Sequence, residues 1–189
     1  VKFVDEEGHE LKQAVVSPTF NYEYSGDTYD KFTGKQLKEG SWNADSHTFD
    51  TVTVPVIDGY VAIDGFSKKN NQVVVGGLTS TRDNLNVVAE VVYQKVGKII
   101  PVDPSGKPIP DVPTPTYSND PTDPTKVTPD EPVPTIPKMT PQTPTLTPTD
   151  PGKDTPVIYN PIKDQVAVVN YVDSDENNKL ITSSGDLTG

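Results

Sequence analysis

Few residues in this chain carry the chemistry of a reaction centre. His9 and His47 are its two histidines and cysteine is absent. No Gly-x-Ser-x-Gly elbow accompanies the histidines, so a nucleophile with an adjacent base has no candidate. Carboxylates are plentiful at 27. A glycosidase needs two of them facing across a cleft, roughly 5 to 10 Å apart, and no spacing singles out such a pair. The sequence therefore gives no reason to expect an enzyme. The run DSDENN sets Asp173, Asp175 and Asn177 at alternate positions, as a calcium loop does. An EF-hand loop also needs glycine sixth and glutamate twelfth, where this chain has Asn178 and Ser184. The EF-hand is excluded. Two readings stay open for Asp173, Asp175 and Asn177: a weaker oxygen-lined calcium site, the one cofactor the sequence suggests, or solvated residues of a hairpin turn.

Aromatic rings are the other candidates, because a pyranose offers a C–H face that packs on a ring. Tyr29 lies in Asp-Thr-Tyr-Asp and Tyr117 in Pro-Thr-Tyr-Ser. Both polar settings predict exposed rings, which makes Tyr29 and Tyr117 the candidate ligand-binding residues. Trp42 is the single tryptophan, and a thin core is expected to bury it. Tyr22 and Tyr24 alternate with Phe20 and are expected in the core with it.

The elements that must hold these rings are strands. Phe20, Tyr22 and Tyr24 alternate with polar residues, as do Val52, Val54 and Val56, and then Leu85 through Tyr93. This is the period of half-buried strands. Turn signals such as Glu7-Gly8, Thr33-Gly34 and Asp58-Gly59 separate them. No 3.6-residue apolar stripe appears, so the expected class is mainly β, α+β at most, with little helix. Hydrophobic residues make up only 32% of the chain, which implies thin cores between sheet faces.

The net charge of -11 opposes nucleic acid and anionic membranes, because the acidic field repels phosphate before contact. No apolar run approaches the roughly 18 residues of a membrane span, so no direct insertion is expected. The chain opens without a signal peptide and reads as an excerpt.

Of the 20 prolines, 18 lie between Pro101 and Pro161. The stretch PTPTYSNDPTDPTKVTPDEPVPTIP looks like a stiff linker, yet it takes part in a repeat. FVDEEGHEL from Phe3 lines up with PVDPSGKPI from Pro101 and with YVDSDENNKL from Tyr171. VPVIDGY from Val54 matches VPTIPKM from Val133, and AEVVYQ from Ala89 matches TPVIYN from Thr155. A linker has no reason to keep a strand frame in order. Three units are expected: residues 1–97, a shortened proline-rich unit at 98–163, and the opening strands of a further repeat at 164–189.

The frame resembles the mucus-binding (MucBP and Mub) repeats of cell-wall-anchored adhesins from lactic acid bacteria. VKFVDEEGHEL, DKFTGKQLKEGSW, TFDTVTVPVIDGY, GKIIPVDPSGKPIPDVP and AVVNYVDSDENNKL carry the likeness, which spans most of the chain. The family's Gly-Tyr is Lys138-Met139 in the second unit. The resemblance implies tandem small β-grasp (ubiquitin-like) units in an elongated rod. It also implies an extracellular place on the wall of a Gram-positive bacterium and host mucin glycoprotein as partner, bound by many weak contacts. Alternatives are a structural stalk, or an immunoglobulin-binding module working through an exposed strand edge.

Overall fold

The computed structural model describes residues 1–163, 166–184 and 187–188. Among them there is no helix, so the chain is all-β rather than α+β. The strands in the first half are β1 (Lys2–Asp5), β2 (Glu10–Lys12), β3 (Thr28–Tyr29), β4 (Gln36–Lys38), β5 (Ser46–Thr48), β6 (Val52–Thr53), β7 (Tyr60–Asp64), β8 (Ser67–Lys69), β9 (Gln72–Val75), β10 (Thr79–Thr81) and β11 (Glu90–Lys95). The proline-rich stretch supplies β12 (Ile99–Val102), β13 (Glu131–Pro132), β14 (Met139–Pro141), β15 (Thr145–Leu146) and β16 (Thr155–Pro161). Last come β17 (Val166–Ala167), β18 (Asn170–Asp173), β19 (Lys179–Ser183) and β20 (Leu187–Thr188).

The first main sheet runs β2-β1-β11-β7 and the second β12-β16-β14. In each, the opening strand pairs in parallel with the closing one. Phe3 faces Val91 in β1 and β11, and Pro101 faces Val157 in β12 and β16. This parallel pair is common to β-grasp sheets, but neither sheet here carries a helix across it.

The sequence frame proves to be a set of repeated physical devices. Asp5 Oδ1 accepts the backbone N–H groups of Glu7 and His9, and Asp103 Oδ1 those of Ser105 and Lys107. Asp173 Oδ1 accepts the N–H of Asp175. One carboxylate thus satisfies two amides in each of the first two VD turns and one in the third. The two closing strands carry a second device. Tyr93 donates to the carbonyl of Pro55 at 2.7 Å, and Tyr159 to that of Pro134 at 2.6 Å. Both rings are fully buried, so each hydroxyl needs that partner. Gly59 and Lys138 both sit at positive φ, 76° and 60°, so Lys138 adopts a turn conformation that glycine accepts more readily.

The proline-rich stretch is folded. Tyr117, Ile136, Val157 and Tyr159 form a buried cluster. Prolines fit because β12 is the edge strand of its sheet, met on its outer side by single bonds (Ile99 N–H to the Pro115 carbonyl, Ile109 N–H to the Pro101 carbonyl) that need no N–H from Pro101, and because Pro156 and Pro161 lie near the ends of β16. Val61 and Val96, from the first half of the chain, belong to this second cluster. The seam is polar as well as apolar. Asn119 accepts from the Gly59 N–H at 2.8 Å and donates to the Tyr60 carbonyl at 2.6 Å, while the Ala62 N–H reaches the Pro124 carbonyl at 2.8 Å. The outer edge of β7 is therefore met by loop 119–124 rather than left bare.

One expected strand is missing. Residues 20–24 do not form a ladder, although Tyr24 bridges Trp42. The segment is tied to residues 41–43 by two backbone bonds, Ser25 N–H to the Ser41 carbonyl and Asn43 N–H to the Glu23 carbonyl, and the Asn43 side chain extends the pairing by accepting the Glu23 N–H and donating to the Asn21 carbonyl.

Candidate functional site

The site is built on the excursion between β2 and β5. In the β3–β4 hairpin, Asp27 gathers three donors: the Gly40 N–H at 2.8 Å, the Tyr24 hydroxyl at 2.7 Å and the Tyr29 hydroxyl at 3.4 Å. Gly40 has to be glycine, since a Cβ there would strike the Gly26 carbonyl and the Tyr24 ring. The Tyr24 ring tilts against Trp42 with centroids 5.4 Å apart. The Arg82 guanidinium lies 5.1 Å from the Trp42 centroid, a cation–π contact. Its Nη2 also donates to Asp45 at 3.1 Å. Tyr29, Asp27, Tyr24, Trp42, Arg82 and Asp45 thus form one connected chain of surface contacts.

Two expectations are corrected here. Trp42 is 43% exposed and Tyr24 is 44% exposed, so neither is core. The apolar volume that would have covered them is spent elsewhere, on the Val-rich strands around Phe3 and Tyr93. Tyr22 lies between the two extremes, with its hydroxyl held by the Ser80 carbonyl at 2.8 Å. Phe20 stacks on His47 at 4.0 Å.

Of the two rings predicted for ligand contact, Tyr29 is 56% exposed and belongs to the site. Tyr117 does not. It is 3% exposed, and its hydroxyl donates to the Lys153 carbonyl at 3.0 Å and meets Thr155 Oγ1 at 2.7 Å. Its polar neighbours line a loop edge while the ring alone turns inward, so local polarity misreads it. The same polarity signal, applied to Gly-Ser-Trp-Asn, would have found Trp42.

A cleft of about 780 Å³ adjoins this face, with Trp42, Arg82, Phe20, Tyr22, Val15 and Val88 among its lining residues. It offers flat rings and apolar surface beside a guanidinium and amide groups. Such a lining suits ligands that present C–H faces and hydroxyls together.

The calcium candidates form a turn. Asp175 is exposed, and Asn177 sits at φ 56°. Asp173 spends one carboxylate oxygen on the turn amide. Asp5, Glu7 and His9 lie close enough to share an ion. Asp5, however, is already committed to the Glu7 and His9 amides and, through Oδ2, to His9 Nδ1 at 3.0 Å.

The hydrogen bond from the Gly40 amide, followed by that from Tyr24, holds the Asp27 carboxyl below its ordinary value of 3.8. Bonds from Thr33 and Phe32 do the same for Asp30. A carboxyl depressed in the folded state stabilises it fully above pH 3.8, and that contribution is lost as pH falls through the folded value. The hairpin is expected to loosen below about pH 3.8. Trp42 fluorescence followed down an acid titration checks this, and an emission spectrum unchanged to pH 2 would contradict it.

The geometry defines an exposed aromatic contact face beside an open cleft on an all-β repeat. The profile of the Muc B2-like domain matches residues 1–97, more than half of the chain. This protein belongs to the Muc B2-like family, a mucus-binding, adhesin type of repeat. No curated protein and no solved structure matches it.

Proposed function

We propose that this chain is a non-catalytic adhesive repeat that holds host mucin glycoprotein by weak contacts multiplied along one polypeptide. The observation that carries the reading is the solvent-facing Tyr24–Trp42 pair, which lies inside the residues matched by the family. Sugar rings pack their C–H faces against the exposed part of Trp42, while Arg82, Asp27 and Asp45 supply hydrogen bonds at the rim. Each contact is weak, and repetition raises the effective concentration of the next. The reading carries with it a place on the outside of a bacterial cell, attached to the wall.

The test is capture of the fragment on immobilised mucin. Trp42→Ala is expected to cost about 1.4 kcal/mol, roughly tenfold in Kd. Undiminished capture would remove Trp42 from the site, and capture unaffected by deglycosylating the mucin would overturn the sugar reading. A second reading, a stalk that holds an adhesive tip away from the wall, draws support from the seam at Asn119, where Val61 of β7 and Val96, next to β11 in sequence, pack into the second core. The two readings are compatible, since a stiff stalk can carry adhesive faces.

A further inference from the structure

The chain enters each main sheet on one strand and leaves it on the parallel neighbour of that strand, which fixes how the sheet meets a pull along the polypeptide. In the proline-rich stretch the entering strand is β12 and the leaving strand β16, with Ile99 opposite Thr155 and Val102 opposite Ile158. The entry at Ile99 and the exit at Pro161 therefore lie at opposite ends of the pair. Tension between them slides the two strands along each other, so the ladder bonds are loaded together. In an antiparallel pair the ends lie side by side, and a pull between them opens one pair at a time. β1 and β11 repeat the parallel arrangement, with Lys2 opposite Glu90 and Asp5 opposite Tyr93.

The prolines spare this pairing. The Thr155 N–H donates to the Lys98 carbonyl, so the backbone groups of Thr155, Val157 and Tyr159 turn towards β12 and Pro156 turns away. The Pro101 carbonyl accepts the Ile109 N–H on the outer edge, which leaves Ile100 and Val102 as the residues of β12 whose amides face β16. Each proline falls where the pair needs no N–H. The pair is also dry. Ile99, Val102, Val157 and Tyr159 are buried, as are Phe3, Val4, Val91 and Tyr93 in the first sheet. Water cannot compete for these bonds until the strands have already slid. Tyr93 and Tyr159 pin the two leaving strands through the Pro55 and Pro134 carbonyls.

We propose that the two parallel pairs have a further function as mechanical clamps, which carry tension along the polypeptide while the chain between their strands stays unloaded. Residues 6–89 of the first unit, the Tyr24–Trp42 face included, lie between β1 and β11 in sequence. With the clamp closed, a pull transmitted from end to end bypasses them, and the face keeps its shape. Sheet topology alone carries this role, whatever the face binds.

The test is single-molecule stretching of the whole chain, which has no cysteine of its own to compete with engineered attachment points. Forced unfolding reads the rate at which a clamp gives way. Pulled from its two ends, the chain is expected to lengthen in two abrupt steps, about 300 Å for Lys2 to Lys95 and about 200 Å for Ile99 to Pro161. Attachment through Pro137→Cys and Lys163→Cys instead opens β14 from β16 at the Met139–Pro161 end, and there the force is expected to be lower by about threefold or more. Ile100→Pro takes an N–H from the clamp and should lower the force of the shorter step by about half, or abolish that step, while the longer step in the same molecule stays. Pro101→Ala should leave both steps as they are. Equal forces in the two pulling directions would overturn the clamp whether or not the Ile100→Pro chain folds, as would gradual lengthening without steps or an Ile100→Pro chain as strong as the parent.

Discussion

Tyr117→Ala unfolds the proline-rich stretch from about residue 98 to 161 and leaves the first core standing. Tyr117 is the ring around which that stretch closes: it packs with Ile99, Ile136, Val157 and Tyr159, and its hydroxyl ties loop 116–118 to Lys153 and Thr155. Removing a buried aromatic ring costs about 3–5 kcal/mol. A segment of about 60 residues holds only roughly 3–9 kcal/mol in total. The loss therefore takes most or all of its stability. Tyr117→Phe keeps the ring and drops the hydroxyl, at about 1–2 kcal/mol. Amide exchange at Val157 and Tyr159 separates the outcomes: near-complete loss of protection for the alanine variant, partial loss for phenylalanine. If the alanine variant kept its protection and lost mucin capture instead, Tyr117 would be a contact residue after all and the core described around it would be wrong.

That ring also shows what the sequence discloses and where it stops. The repeated frame was legible because each motif carries a device that demands particular residues: an aspartate to satisfy turn amides, a Val-x-Tyr strand to fill a core, a Val-Pro whose carbonyl receives the tyrosine hydroxyl. Such devices repeat in order because their partners do. The parallel pairing of first and last strands is not visible in any local window, since Lys2 and Glu90 meet only through the whole intervening chain. Exposure was legible only in part. Tyr29 and Tyr117 have nearly the same polar flanks, yet one ring faces solvent and the other is buried, because the deciding neighbours, Lys153 and Thr155 for Tyr117, are some 36 to 38 residues away. Trp42 was misjudged for a related reason: tryptophan's tendency to be buried assumes a core with room, and here short Val-rich strands had filled it.

The seam at Asn119 matters because a chain that works by repetition gains only if its sites are held in a usable arrangement. Asn119→Ala is expected to weaken the coupling between the two cores. It removes the acceptor for the Gly59 N–H and the donor to the Tyr60 carbonyl, at part-buried positions where water substitutes imperfectly, for about 2–4 kcal/mol. Val61 and Val96 would still sit against the second cluster, so apolar contact persists while the polar register goes. Calorimetry should then show the melting transitions of the two cores further apart in the variant than in the parent chain. Acid supplies an independent handle on the same seam. Asp123 pairs with Lys68 across it at 3.3 Å. Burial alone would raise the Asp123 carboxyl, but hydrogen bonds from Thr125 and then Lys68 outweigh it and bring the group down to about 2. Its contribution is complete above pH 3.8 and is lost as pH falls toward about 2. Screening by water leaves that contribution on the order of 1 kcal/mol. The split into two transitions should therefore widen between pH 4 and pH 2 in the Asn119→Ala variant. A single, unsplit transition at both pH values would show that the two cores are locked by apolar contact alone and that the asparagine is incidental.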